Sequence, residues 1–226
     1  MGEDEKRHGH WRRLLIQHRP MFRKLKLAFM QTNFYHWLVK KVIPYIRFTT
    51  YYTSMRGWKY HQVYAAIKPG DIILTIDKRK LTTFLIPGEW AHAAVCVSKD
   101  KEFEVAEMTH TDYTKSTVAD LCFEADRVRV LRCTKFNYAY KQKFIKKCKS
   151  FEGVPYDDQF VLGVKALSCS ELVWASDFEG RIGASTEDIA GLGREYISPT
   201  GIFKAKHLEY VIDTDNLVDS AHTPLK

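Results

Sequence analysis

The sequence predicts an α+β fold in which an antiparallel sheet is packed by a helix that begins at Cys169. Three observations predict it. Lys68-Pro69-Gly70-Asp71 is a turn followed by the apolar run Ile72–Ile76, the first of several strand-like runs separated by turn residues. Phe144, Ile145, Cys148 and Phe151 recur at helical spacing among lysines, marking an amphipathic helix that ends near Gly153. Ser168-Cys169-Ser170-Glu171 has the Ser-x-x-Glu form of a capping box just before an apolar run.

The chain divides by charge. Residues 1–66 hold 13 Lys/Arg against 3 acids, whereas residues 67–226 hold 22 against 24, so all of the net +8 comes from the first third. We read residues 1–66 as a basic, aromatic-rich helical extension, 67–213 as the main domain and 214–226 as a flexible tail. Within the extension, Pro20 is placed to open a helix, Leu27, Met30, Phe34, Trp37 and Leu38 form its stripe, and Pro44 stops it near Val42. Lys41 interrupts the stripe. One reading packs this helix on the main domain with its lysines in water. The other makes residues 11–66 a surface for anionic lipid or an acidic polymer. Nucleic acid is not expected, because no recognised binding motif accompanies the charge.

Further along, a second apolar run spans residues 81–86, and a third, Trp90–Val97, reads as a strand with His92, Ala94 and Cys96 on one face. Residues 103–107 form the next strand, with Phe103, Val105 and Glu107 sharing a face. Val128–Leu131 alternates like a half-exposed strand. A loop follows Gly180, order restarts at Ser198-Pro199, and residues 208–212 close the sheet.

The five cysteines are odd in number and lack CxxC spacing, which argues against a disulfide framework or a zinc knuckle and for reduced thiols in a cytoplasmic protein, peripheral at most to a membrane. The acidic start Met1-Gly2-Glu3-Asp4-Glu5 lacks the features of a cleaved signal, Lys6 replaces the Ser/Thr of a myristoylation site, and no apolar run reaches membrane-spanning length. No cofactor is expected.

Cys169 is the one cysteine at a helix start, where the helix dipole and free backbone N–H groups favour thiolate. A thiolate, an imidazole to pair with it and a third polar group to fix the ring make a nucleophilic site. Cys169, His92 and Glu107 are the candidates. His110, just past Glu107, competes with His92.

Gly153-Val154-Pro155-Tyr156 followed by Ser168-Cys169-Ser170-Glu171-Leu172-Val173 resembles the nucleophile region of the NlpC/P60 papain-like cysteine hydrolases. Here the His92 and Glu107 strands precede the cysteine helix, the order of the circularly permuted branch, the YiiX/YebB-like permuted papain-like amidases. Lys68-Pro69-Gly70-Asp71 and Ile197-Ser198-Pro199 are similar to segments of that branch. The resemblance covers roughly residues 67–212. It implies a circularly permuted papain-like fold and a thiol hydrolase cutting an amide in a peptide or cell-wall-type peptide through a thioester. Cys169 would be the nucleophile, His92 the base and Glu107 the third member, with Tyr156 and Trp90 beside the substrate. Glu171 stands where the classical subgroup has Gly. A second expectation is lipid acyl transfer of the lecithin:retinol acyltransferase-like type, although those relatives carry Asn-Cys-Glu-His-Phe where this chain has Ser168-Cys169-Ser170-Glu171-Leu172. A third is a non-catalytic binding protein on the same fold.

Overall fold

A computed structural model describes residues 23–48, 53–55, 57–86, 88–188 and 194–217. The readings placed on residues 1–22 and 218–226 lie outside them.

Six strands form one antiparallel sheet: β1 (Ile72–Ile76), β2 (His92–Cys96), β3 (Glu104–Met108), β4 (Tyr113–Thr117), β5 (Arg127–Cys133) and β8 (Leu208–Asp213), in the order β4-β3-β2-β1-β5-β8. A small ribbon, β6 (Glu187–Asp188) with β7 (Glu195–Tyr196), lies in the stretch read as a loop after Gly180. Both faces of the sheet are covered. On one, Ile72, Leu74, Ala93 and Val95 pack with Phe144 and Cys148 of the helix Tyr138–Lys149 and with Leu172 and Val173 of the helix Cys169–Ser176. On the other, Ile73, Ala94, Val105 and Val130 pack with Val118, Leu121 and Cys122 of the helix Val118–Phe123, and with Met55, Val63 and Ile67. Met55 and Val63 precede Lys68, so the basic third contributes to this core before the first strand begins. Layers on both sides explain why β1 reads as an unbroken apolar run.

The Lys68-Pro69-Gly70-Asp71 turn aims β1. Gly70 has φ +90°, and Asp71 accepts from the Lys68 N–H at 2.8 Å and from the Arg132 guanidinium at 2.7 and 2.6 Å.

Several elements depart from the sequence reading. β5 is buried on both faces rather than half exposed. Its interruption, Arg129, is held by the Asp213 carboxylate and lies over the Trp90 and Phe203 rings at 5.1 and 4.6 Å, so the charge is paired where the pattern shows only a polar residue. The apolar run 81–86 is mostly a short helix, Leu81–Leu85, with Phe84 and Leu85 exposed. The N-terminal helix is broken. Residues 23–30 are helical, and Thr32 caps a second helix, Asn33–Lys41, by accepting from the Tyr35 N–H at 3.1 Å. That second helix buries no side chain.

Candidate active site

The helix Cys169–Ser176 begins as its sequence predicts. Ser168 is the N-cap, accepting from the Glu171 N–H at 3.4 Å, while Glu171 Oε2 accepts from the Ser168 N–H at 2.8 Å. Cys169 is therefore the first helical residue, where the positive end of the dipole and the orphan amides converge.

β2 and β3 bring the other two groups together through their register. Ala94 is directly opposite Glu107, which makes His92 its diagonal neighbour on the same face, and the Ala94 methyl leaves the space between them open. His92 Nε2 stands 2.7 Å from Glu107 Oε2. β4 adds a fourth residue that the sequence reading did not contain. Ser116, opposite Val105 and diagonal to Glu107, donates its hydroxyl to Glu107 Oε1. Glu107 thus receives one donor from each neighbouring strand.

His92 in turn hydrogen-bonds Cys169, and with Nε2 taken by Glu107 the nitrogen left for sulfur is Nδ1. The backbone N–H groups of Ala93 and Ser170 also favour the charged sulfur. Burial alone would hold the thiol neutral, but the His92 charge, its hydrogen bond and these amides reverse that and lower the Cys169 pKa. The same balance acts on the ring. Burial pushes His92 down, and the Cys169 thiolate and Glu107 carboxylate outweigh it and raise it to about 10. Glu107 is held below its ordinary value despite burial, chiefly by His92, then by Ser116 and Lys80. These shifts favour a thiolate–imidazolium pair backed by a carboxylate, an arrangement whose chemistry is attack on a carbonyl carbon and protonation of a leaving group.

His110 takes no part in that pair. It lies in the turn between β3 and β4, where its Nε2 is 3.2 Å from the Tyr45 hydroxyl, and burial with Lys41 and Lys80 lowers its pKa. Tyr156 lies close by. Asp157 N–H donates to Leu167 O at 3.0 Å and Leu167 N–H to Pro155 O at 3.1 Å, which sets Tyr156 beside the residues leading into Cys169. Burial, then the Cys169 charge, raises its hydroxyl pKa.

Trp90 is a correction. It was expected beside the substrate, but it is 0% exposed, with Arg127 and Arg129 over its ring at 4.7 and 5.1 Å and Phe203 at 6.2 Å. A side chain with no accessible surface offers nothing to a substrate. Trp90 instead anchors the approach to β2, its backbone N–H donating to Thr200 Oγ1 at 3.0 Å.

Residues 66–223 match the family described as permuted papain-like amidase enzyme, YaeF/YiiX, C92 family. The chain belongs to this family. Among solved structures, the chain resembles the crystal structure of metalloprotein yiiX from Escherichia coli O157:H7, with 19% identity, a TM-score of 0.56, and coverage of 65% of this chain and 97% of that one. At that identity the likeness speaks for the fold. No curated protein sequence matches the chain. Among the described residues no three His, Cys, Asp or Glu side chains converge as a metal-holding group, and no helix is long and apolar enough to cross a membrane.

Two predictions concern groups around the site. Ser116→Ala removes one donor from Glu107, and we expect kcat/KM to fall about 10- to 100-fold, the worth of one hydrogen bond to a charged group, with the melting temperature little changed. A loss of folding without a change in turnover per folded molecule would remove Ser116 from the site.

Glu171 is 1% exposed, and burial raises its carboxyl from 4.5 to about 7. The native state therefore holds this proton to higher pH than the unfolded chain. The resulting stability is complete below the unfolded value and is lost as pH rises through about 7. Glu171→Gln keeps an acceptor for the Ser168 N–H and should erase this dependence, so that the wild type loses on the order of 3 kcal/mol relative to the variant between pH 4 and 8. Parallel slopes of stability against pH for the two proteins would refute it.

Proposed function

We propose that the chain is a cysteine-dependent hydrolase that cleaves an amide bond in a peptide or cell-wall-type peptide. The observation that carries this reading is the continuous chain from the capped Cys169 through the His92 ring to Glu107, with His92 and Glu107 2.7 Å apart.

In this reading the Cys169 thiolate attacks the amide carbon, and the electron pair of the C=O moves to oxygen. The Cys169 N–H, an orphan donor at the first helical position, holds that oxyanion. His92 Nδ1–H protonates the nitrogen as the C–N bond breaks, which releases an amine and leaves a thioester on Cys169. Water, deprotonated by the now neutral His92, attacks the thioester. The C–S bond breaks to return the thiolate and release a carboxylic acid, which gives its proton to solvent, and His92 keeps the proton it took from water. Glu107 orients the ring throughout and stabilises its charge, and Ser116 holds Glu107. Tyr156 lines the approach to the sulfur.

The same thioester would serve acyl transfer from a lipid ester, and the basic, aromatic N-terminal helices favour keeping that second reading. The test is incubation of the full chain with N-acyl dipeptide amides, muropeptide-type peptides and phospholipids, followed by denaturing mass spectrometry. We expect an acyl adduct on Cys169 from a peptide amide. An adduct from phospholipid alone would move the function to lipid acyl chemistry, and amide turnover that survives loss of the sulfur would overturn the mechanism.

A further inference from the structure

The helix Asn33–Lys41 is fastened to the domain by its polar side. Tyr35 Oη donates to Asp158 O at 3.2 Å, and His36 Nδ1 lies 2.7 Å from Asp158 Oδ2. Just upstream, the Gln159 side-chain amide donates to Met30 O. Its apolar side faces solvent. Phe34 and Trp37 stack with centroids 6.0 Å apart and are 58% and 54% exposed, and Lys41 continues their stripe one turn on. A helix resting on its own domain shows the opposite orientation, apolar side inward.

The exposed apolar surface extends in both directions from this helix. Phe29 meets Phe34 at 6.5 Å, while Phe48 packs edge-on against Phe84 at 5.4 Å, both more than half exposed. Residues 23–48 contain six Lys/Arg and no acid. Stacked exposed aromatics among cations, of which Lys40 meets Asp158 at 3.9 Å, suit the boundary of an anionic bilayer, where rings enter the acyl region and lysines reach the headgroups. A second copy of the chain would set the same cations against each other.

We infer that residues 23–48, with Phe84 and Leu85, form a docking face for an anionic phospholipid bilayer. The face is tied to the site at two points. Asp158 and Gln159 closely follow Tyr156, and Tyr45 meets His110 in the turn between the strands of Glu107 and Ser116. Docking sets the approach to Cys169 at the membrane surface, and it does not depend on the chemistry proposed for that residue.

The experiment is flotation of the full chain with vesicles of phosphatidylcholine alone or mixed with phosphatidylglycerol, at low and high salt. We expect flotation with the mixed vesicles only, weakened by salt. Lys41→Ala should weaken it about fivefold, and Phe34→Glu/Trp37→Glu should abolish it, whereas Tyr138→Glu, exposed on another helix, should change nothing. Both aromatic positions are exposed, so an unchanged melting temperature is expected and verifies folding. Undiminished flotation of the folded Phe34→Glu/Trp37→Glu variant, equal flotation with neutral vesicles, or self-association in place of lipid binding would each overturn the inference. Soluble-amide turnover and Cys169 labelling should persist in that variant, which keeps a failure here distinct from a failure of the hydrolase reading.

Discussion

Iodoacetamide near pH 6 should alkylate Cys169 alone, and Cys169→Ala should abolish both that labelling and amide turnover. The other four thiols act as internal controls. Burial pushes Cys96, Cys122 and Cys148 up to about 12, and Asp71 adds to the effect at Cys96; Cys133 is also raised. An unperturbed thiol at pH 6 is only about 0.3% thiolate, and these four are less ionised still. Cys169 is as buried as they are, yet the His92 charge, with the nearby Ala93 and Ser170 amides, reverses the effect of burial. Its labelling should therefore exceed theirs by about two orders of magnitude or more. Loss of the sulfur should reduce turnover at least about 10⁴-fold, the scale seen when a nucleophile is removed from a coupled set. Equal labelling of wild type and Cys169→Ala at pH 6 would sink the activated thiol, and mass mapping of the modified peptide makes the outcome unambiguous.

The parts of this site that were legible in the sequence are those encoded over three or four residues. The capping box from Ser168 to Glu171 is a local pattern with a local cause, and it placed Cys169 at the helix start without any tertiary information. The alternation around His92 and Glu107 fixed which face each occupies, but their contact follows from the β2–β3 register, which single strands do not encode. Ser116 was invisible for a related reason. β4 is Tyr-Thr-Lys-Ser-Thr, with no apolar alternation to announce a strand, and only its pairing with β3 delivers the hydroxyl to Glu107. The cue that was present is the Thr117-x-x-Asp120 capping box, which closes the strand and starts the next helix.

Trp90 and the N-terminal helix show the opposite failure, in which a local pattern was legible and its environment was not. An aromatic two residues before a site histidine has the same sequence signature whether it lines a cleft or fills a core. Arg127 and Arg129, which decide the matter, come from β5, far along the chain. Likewise the stripe through Met30, Phe34 and Trp37 looked like one packing surface. Thr32 divides it, Met30 is buried, and Phe34 and Trp37 turn outward because Asp158 captures the polar side of the second helix.

Replacing Glu107 by Gln should separate orientation of the His92 ring from stabilisation of its charge. Gln retains a carbonyl oxygen able to accept from Nε2–H, so the ring can keep its tautomer, but the negative charge is gone. His92 is raised to about 10 by the Cys169 thiolate and by Glu107, so removing the carboxylate lowers its pKa and brings the alkaline limb of the pH–rate profile down. A less stabilised imidazolium also supports the thiolate less, so the acid limb moves up. The active window narrows from both sides, and we expect kcat/KM at its optimum to fall about 10- to 100-fold. Glu107→Ala loses the acceptor as well, leaves the Ser116 hydroxyl without its partner and frees the ring to turn. Its loss should be larger, about 10²- to 10⁴-fold. If Glu107→Gln lowers the rate while both limbs stay in place, the carboxylate serves only as a spacer between β2 and β4. If the limbs move as described with the melting temperature unchanged, the charge acts through His92, and the geometry that joins Glu107 to Cys169 is the path by which it acts.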